Sequence, residues 1–521
     1  MKQNGFVKGA IILVLFNLIG KVIGAVYRIP LANLLGSVGI GEYQLVFPLY
    51  SLMLAISVSG IPVAISRIVS EYNSKGWFGD VKRLVKIAFL YLFGVSLVCI
   101  LLIVLGAKFI ARIQGNSDIY LCYYGIAPAI LFVALLSVFR GYFQGQLNMF
   151  PTAFSGLIEQ VGRLCFGLWL SSEFVRFGTV YGVFGAVLGI SISELLALMF
   201  LALYYVFHSK KKNKKTQAVL RKKAISRQLI QTALPITLGG IASPITSIID
   251  SLLVVNLLMF VGFGSDYATS LLGLQSGIVD PLINIPIVIA VSISSSMLPN
   301  ITNFYVKKEN ENVADLIKKA FQITLSVSLA CAICYVIFGR QILEFLYART
   351  LSQSEMITST KLLFFGGINL IFLSLVYVST SILQGMGKQK YTAKSIIIGS
   401  VIKIILTLAL VSIKEINILG AMISGGMSYV VVFFINYRKL REECEIKMSK
   451  LIFDLVIQET LVCLFAYLAN RFSTIIFGGN IALFVGGGVA VLIFAVTYYI
   501  LFFEKKPKKI SSWLIKINLI L

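Results

Sequence analysis

The sequence predicts an all-α, polytopic membrane protein of about fourteen transmembrane helices: two pseudo-symmetric six-helix lobes and a C-terminal pair of helices. Three observations predict it. Of 521 residues, 58% are hydrophobic and 13% charged, with a mean hydropathy of +0.90, whereas a soluble domain is about half apolar and about one-quarter charged. Apolar runs long enough to span a bilayer, about 20 residues each, follow one another with short polar breaks. The two halves of the chain also share a register.

The runs fall near 6–28, 43–66, 84–107, 119–140, 150–170, 180–207, 229–260, 270–300, 315–338, 357–383, 392–412, 417–436, 451–470 and 480–503. The first is followed by Arg28 and Pro30 rather than a small-residue cleavage site, so it reads as a crossing and not as a cleaved signal. An even number of crossings leaves both termini on one side. Arg67, Lys75, Lys82, Arg83 and Lys86 follow crossing two, and Lys210, Lys211, Lys212, Lys214, Lys215, Arg221, Lys222, Lys223 and Arg227 follow crossing six. The loops after crossings eight, ten and twelve and the tail are also lysine-rich. Cytoplasmic loops collect Lys and Arg, which predicts both termini in the cytoplasm and the chain in the cytoplasmic membrane. The same loops account for the net charge of +24, and no nucleic-acid partner is inferred from it.

The basic stretch divides the chain, and the halves match. Gln144-Gly145 and Gln384-Gly385 lie 240 residues apart, as do Thr152-Ala153 and Thr392-Ala393, and Arg163 and Lys403. Leu84 to Phe89 resembles Leu316 to Phe321 at an offset of 232. Six helices is an even number, so the second unit re-enters the membrane with the orientation of the first, as in parallel repeats about an axis along the membrane normal. The expected organisation is an N-terminal lobe at 1–208, a basic cytoplasmic linker at 209–228, a C-terminal lobe at 229–440, and two further helices with a basic tail at 441–521. A cavity between the lobes is expected, in a protein that acts as a monomer.

Tools of catalysis are scarce. One histidine, His208, excludes a multi-histidine metal site or dyad. Seven cysteines, an odd number lying mostly within apolar runs, argue against a disulfide framework, and Cys331-Ala-Ile-Cys334 sits inside the apolar stretch 325–338 without a histidine or carboxylate among those residues. Gly36 to Gly41 and Gly385-Met386-Gly387-Lys388 lack the Lys-Ser/Thr of a phosphate loop. No enzyme activity, no metal site and no bound cofactor are expected.

What remains is a short set of charges at membrane depth, where ionisable groups are costly and face a bundle interior or a wet cavity. Lys21 and Arg28 are almost two helical turns apart and share a face; Arg28 also suits snorkelling to the interface. Glu159 and Arg163 stand at i, i+4, the spacing of an intrahelical ion pair. Lys403 occupies the repeat position of Arg163 but has Gly399 in place of Glu159. Glu194, Asp250 and Asp280 are candidates for coupling to Na+ or H+, and placement near a helix end suits each as well. Pro235, Pro244, Pro281 and Pro286 are expected to interrupt crossings seven and eight.

Gly20-Lys21-Val22-Ile23-Gly24, Gly60-Ile61-Pro62-Val63-Ala64-Ile65-Ser66, and above all Arg140-Gly141-Tyr142-Phe143-Gln144-Gly145 with Pro151-Thr152-Ala153 and Glu159-Gln160-Val161-Gly162-Arg163 resemble the stage V sporulation protein B and polysaccharide-biosynthesis branch of the multidrug/oligosaccharidyl-lipid/polysaccharide exporter superfamily. The resemblance implies fourteen helices in two lobes of the MATE type and transport of undecaprenyl-diphosphate-linked saccharides, peptidoglycan precursor or a related glycan. Related lipid II flippases carry first-helix cations at positions matched by Lys21 and approximately Arg28. They also carry arginines on helices two and eight, where this sequence has Leu52 and Met53, and Asp280.

Physical chemistry points the same way. A diphosphate headgroup with sugars cannot cross hydrocarbon unaided, and a basic wet slot offsets its desolvation. Lys21, Arg28, Arg163 and Lys403 could line such a slot, with lipid-linked saccharide and membrane lipids as partners. Two other readings stand beside the flippase. A cation-coupled drug antiporter would use Asp250 or Asp280, and a membrane transferase would need a clustered acidic motif that the sequence lacks.

Overall fold

The computed structural model of the chain describes residues 2–211, 219–444, 449–477 and 479–502. In hydrocarbon every backbone N–H and C=O must find its partner within the segment, and the described residues are helical almost throughout, with no strand among them. In chain order the helices are α1 (Lys2–Val58), α2 (Ile61–Ser74), α3 (Phe78–Ile113), α4 (Tyr120–Gly145), α5 (Phe150–Gly162), α6 (Leu168–Phe174), α7 (Thr179–Lys211), α8 (Lys222–Phe260), α9 (Ser265–Leu272), α10 (Asp280–Val306), α11 (Asn310–Tyr347), α12 (Gln353–Gly385), α13 (Gln389–Val411), α14 (Ile418–Glu443), α15 (Ser449–Phe477) and α16 (Gly479–Phe502). Single wide π turns join α5 to α6 at Arg163–Gly167 and precede α10 at Gly273–Val279.

Eleven described helices are long and apolar enough to cross a membrane, and the shorter Pro244–Phe260 is apolar as well. The chain is a multi-pass membrane protein. Its helices differ in several places from those expected of the sequence, and crossing two is itself broken at 59–60, between α1 and α2. Crossings one and two are not separated by a loop: helical structure continues through the glycine-rich 36–41, broken only at Gly36, whose φ of +69° is a left-handed conformation that glycine adopts without a Cβ penalty. Crossings five and eight are each cut by a π turn, into α5 and α6 and into α9 and α10. Crossing seven is helical throughout α8, which runs on through Pro235 and Pro244 rather than ending at them. Pro281 opens α10 in its first turn, where the missing N–H is harmless.

The chain gathers into two compact units, Met1–Ile278 and Val279–Leu521. In the first, α4 is the central helix, packed by α2, α3 and α7, over a core that includes Ile65, Ile68, Leu84, Leu136 and Phe143. The unit ends well beyond the basic stretch at 209–228, because α8 packs on α1, α2 and α3. Of that stretch, residues 212–218 lie outside the described residues, as does the tail from 503. Its far end is tied down: buried Asp80 accepts hydrogen bonds from the backbone N–H of Val219 (3.0 Å) and Leu220 (3.2 Å), and Arg83 Nη1 donates to the Leu220 carbonyl.

In the second unit α12 packs against α10, α11 and α14, while α15 and α16 pair with each other and lean on α11. Its main core includes Ile317, Phe321, Val378, Ile382 and Leu440. At one end Glu443 gathers Tyr305 (2.7 Å), Lys388 (3.0 Å) and Lys439 (3.1 Å), joining α10, the α12–α13 turn and α14.

Candidate functional site

The first unit contains a cavity of about 530 Å³ between α1, α4 and α5, lined by Phe16, Gly20, Lys21, Gly24, Arg140, Gln144, Thr152, Gly156, Glu159 and Gln160. Its walls follow from local sequence. On α1, Gly20 and Gly24 stand at i, i+4, and a Cβ on either would meet the Gln160 side chain (3.4 and 3.0 Å), so the two glycines leave room for an amide in the wall. On α4, Gly141 and Gly145 do not face the cavity. A Cβ at Gly141 would lie 2.8 Å from the Pro62 carbonyl oxygen, and one at Gly145 2.6 Å from that of Ser66. These glycines press α4 against α2, and Arg140 and Gln144, each one residue earlier and so about 100° round the helix, line the cavity beside that contact.

Four charged side chains form a line leading inward from the cavity. Arg140 donates from Nε to Ser155 Oγ (3.1 Å) and from Nη2 to Glu159 Oε2 (3.0 Å). Glu159 Oε1 lies 3.5 Å from Arg163 Nη2, and the same nitrogen lies 3.7 Å from Glu194 Oε1 on α7. Ser155 is itself fixed, donating to the Thr152 carbonyl (2.8 Å). Glu194 is 2% exposed. Guanidinium groups suit this duty because their planar fork binds carboxylate or phosphate oxygens in pairs. Arg163 opens the π turn, a feature that recurs at functional sites. Its last residue, Gly167, sits where a Cβ would meet the Tyr27 hydroxyl at 2.7 Å.

The sequence-predicted residues therefore separate into groups. Lys21, Arg140, Gln144 and Glu159 meet at one cavity, and Arg163 and Glu194 join it through Glu159. The i, i+4 pair of Glu159 and Arg163 forms, but the shorter contact of Glu159 is to Arg140, a partner on another helix that spacing along one helix cannot reveal. Arg28 lies further along α1 and is half-buried; Asp250, on α8, is half-buried too. Neither lines the cavity. Lys403 on α13 and Asp280 at the start of α10 belong to the second unit. His208 is on α7, and nothing is described of its side chain. Sequence reading missed Thr152 and Gln160 as wall residues, although both lie in the stretches that carried the resemblance.

Two further buried acids lie apart from this line. Glu42 accepts a hydrogen bond from Asn116 Nδ2 (3.2 Å). Glu459 borders a largely apolar cavity of about 740 Å³ between α11 and α15. Among the described residues no three His, Cys, Asp or Glu side chains cluster so as to hold a metal ion.

Comparison with known proteins fits this architecture. In Bacillus subtilis (strain 168), the lipid II flippase MurJ is 26% identical over 82% of this chain and 81% of its own length. Stage V sporulation protein B of the same organism is 24% identical over 94% of both. Among solved structures, the inward closed conformation of a lipid II flippase MurJ superposes with a TM-score of 0.72 at 14% identity, covering 94% of this chain and 98% of the other. An inward-facing multidrug resistance MATE family transporter gives 0.61 at 15%, covering 84% and 98%. These two likenesses show the fold. The MatE family matches residues 235–409. Because the family described as polysaccharide biosynthesis protein matches residues 6–305, more than half of the sequence, the chain belongs to that family, on the stage V sporulation protein B and MurJ branch of the multidrug/oligosaccharidyl-lipid/polysaccharide exporter superfamily.

Proposed function

We propose that this transporter is an alternating-access flippase that exports undecaprenyl-diphosphate-linked saccharides, lipid II or a related cell-envelope glycan, across the cytoplasmic membrane. The cavity of the first unit carries the reading: Lys21 and Arg140 line it together with the amides of Gln144 and Gln160. Ammonium and guanidinium groups replace the water that a diphosphate loses on leaving solution, and amides suit sugar hydroxyls. The lipid tail stays in the bilayer while the headgroup passes through. Helices 1–6 and 7–12 of the sequence count act as the two rocking lobes, with α8, the first crossing of the second, packed on α1, α2 and α3, and Lys403 provides in the second what Arg163 provides in the first.

No coupling ion is required. With the cell interior negative, moving one anionic charge outward gains about 2.3 kcal/mol per 100 mV, so a diphosphate carrying two gains about twice that. Coupling to Na+ or H+ through Glu194, Asp250 or Asp280 would add to this drive.

Reconstituted in vesicles, the full chain should flip a fluorescent undecaprenyl-diphosphate saccharide, and K21A/R28A should abolish flipping while leaving the unfolding temperature unchanged. Full activity of that variant would refute the cavity as the path. The second reading, a cation-coupled small-molecule antiporter, draws on the MatE match, which spans both Asp250 and Asp280. Depletion separates the two: a lipid-linked saccharide should build up on the inner leaflet, and if none does, the antiporter is favoured.

A further inference from the structure

Glu159 is a carboxylate in the wall of a cavity read as a receptor for anions. Its side chain is 17% exposed and both its oxygens are engaged, Oε2 by Arg140 at 3.0 Å, and Oε1 by the neighbouring Gln160 amide, which donates at 3.4 Å, and by Arg163 at 3.5 Å. The next contact is longer, 3.7 Å from Arg163 to Glu194 Oε1. Glu194 Oε2 and Arg163 Nε are buried with no hydrogen-bond partner among the described residues, and so is Thr152 Oγ1, whose residue lines the cavity. A network serving stability alone would fill such positions, since a buried polar group left without a partner costs about 1–3 kcal/mol.

We infer that Glu159 is a resident competitor for the transported anion. It holds Arg140 while the cavity is empty, yields it to an arriving diphosphate, and keeps its second oxygen on Arg163, so that it sets selectivity for diphosphates over single phosphates. The inference rests on reading the cavity as a phosphate site. Phosphate and carboxylate oxygens take the same bidentate geometry on a guanidinium, so an anion that engages Arg140 alone replaces one partner by another and gains little. A diphosphate long enough to reach Lys21 on α1 as well adds a second charged contact, and Thr152 Oγ1 has a hydrogen bond to give. The displaced carboxylate needs no proton, because Arg163 remains beside it. The loosely held Glu194 is the group that gives way on Arg163.

Titration calorimetry of the full-length protein in mild detergent, with pyrophosphate and inorganic phosphate as probes, tests this. The wild type should prefer pyrophosphate at least tenfold. E159Q should bind both more tightly, phosphate by the larger factor, so that the preference falls at least fivefold, while flipping of the lipid-linked substrate slows because release is slower. E194Q gives a second measurement should E159Q not fold. It leaves Arg163 wholly to Glu159, loosens the hold on Arg140, and should tighten phosphate binding in the same direction. Pyrophosphate binding that depends on Lys21 but is weakened or unchanged in both Gln variants, or an unchanged preference, overturns the inference alone. A wild type that binds neither probe, with K21A indistinguishable from it, overturns the phosphate reading of the cavity too.

Discussion

Replacing Arg140 by Gln tests whether the line of charges is one coupled unit. Opposite charges about 4 Å apart at an effective dielectric constant of about 20 attract by about 4 kcal/mol, and removing one member of a buried pair costs about 3–5 kcal/mol because the other is stranded. Glu159 is not wholly stranded in R140Q. Arg163 stays 3.5 Å from it, and the Arg140 and Glu159 side chains are 24% and 17% exposed. The expected loss is therefore below that range, about 2–3 kcal/mol. E159Q should cost a similar amount, since it leaves two guanidiniums with Glu194 alone. In R140Q/E159Q neither charge of the pair is left facing a neutral amide, and the double variant should be about 2 kcal/mol more stable than the sum of the singles. Chemical unfolding of the full chain in mild detergent measures all three variants. Losses that add within about 0.5 kcal/mol would mean that Arg140 and Glu159 are neighbours without energetic linkage, and the shared-carboxylate scheme would fall with that result.

Three other perturbations read out the fold around the site. Gly141→Val puts side-chain carbon against the Pro62 carbonyl and the Ile65 side chain; an overpacking loss of about 1–3 kcal/mol is expected, and flipping should drop because Arg140 moves with α4. Asp80→Ala removes the acceptor for the Val219 and Leu220 amides, so tryptic cleavage at Arg221 and Lys222 should quicken while the unfolding temperature changes little. At the Glu443 cluster, the hydrogen bonds to Glu443 raise both Lys388 and Tyr305 above their ordinary values. A raised value means that the contribution is complete at neutral pH and is lost only as pH climbs past the usual lysine and tyrosine range, about 10. A pH titration of stability should show this alkaline loss in the wild type, and E443Q should abolish it.

Much of the fold was legible because hydrocarbon leaves the backbone one economical choice and the apolar runs mark where it is exercised. Less legible were the places where helix hydrogen bonding outlasts a breaker. Gly36 to Gly41 reads as a turn, yet one left-handed residue suffices and the helix resumes. Pro235 and Pro244 read as interruptions, yet α8 carries both. At the site, the i, i+4 rule gives Glu159 with Arg163, whereas nothing in the Arg140 motif itself points to a partner. Its partner is set by how closely α4 approaches α2 and by the turn between α4 and α5, tertiary facts that periodicity does not carry. Thr152 and Gln160 are neutral, so the cost of charge at membrane depth does not mark them.

The overall charge of +24 is a poor guide to the cavity. Most of it lies in loops, where it orients helices. At and beside the cavity, Lys21, Arg140 and Arg163 face Glu159 and Glu194, which with all five ionised is three positive charges against two negative. A strongly cationic pocket at membrane depth would carry a heavy desolvation cost when empty and would hold small anions on every return. A nearly balanced one avoids both, provided that its internal anions can be set aside when the substrate arrives. That requirement falls on Glu159, the acid whose two oxygens rest on different guanidiniums: it can release one and keep the other. An aspartate there, one methylene shorter, would be hard pressed to span both, so E159D should retain charge and fold yet lose the preference for pyrophosphate over phosphate. An E159D protein with wild-type preference would show that reach is not what the position requires.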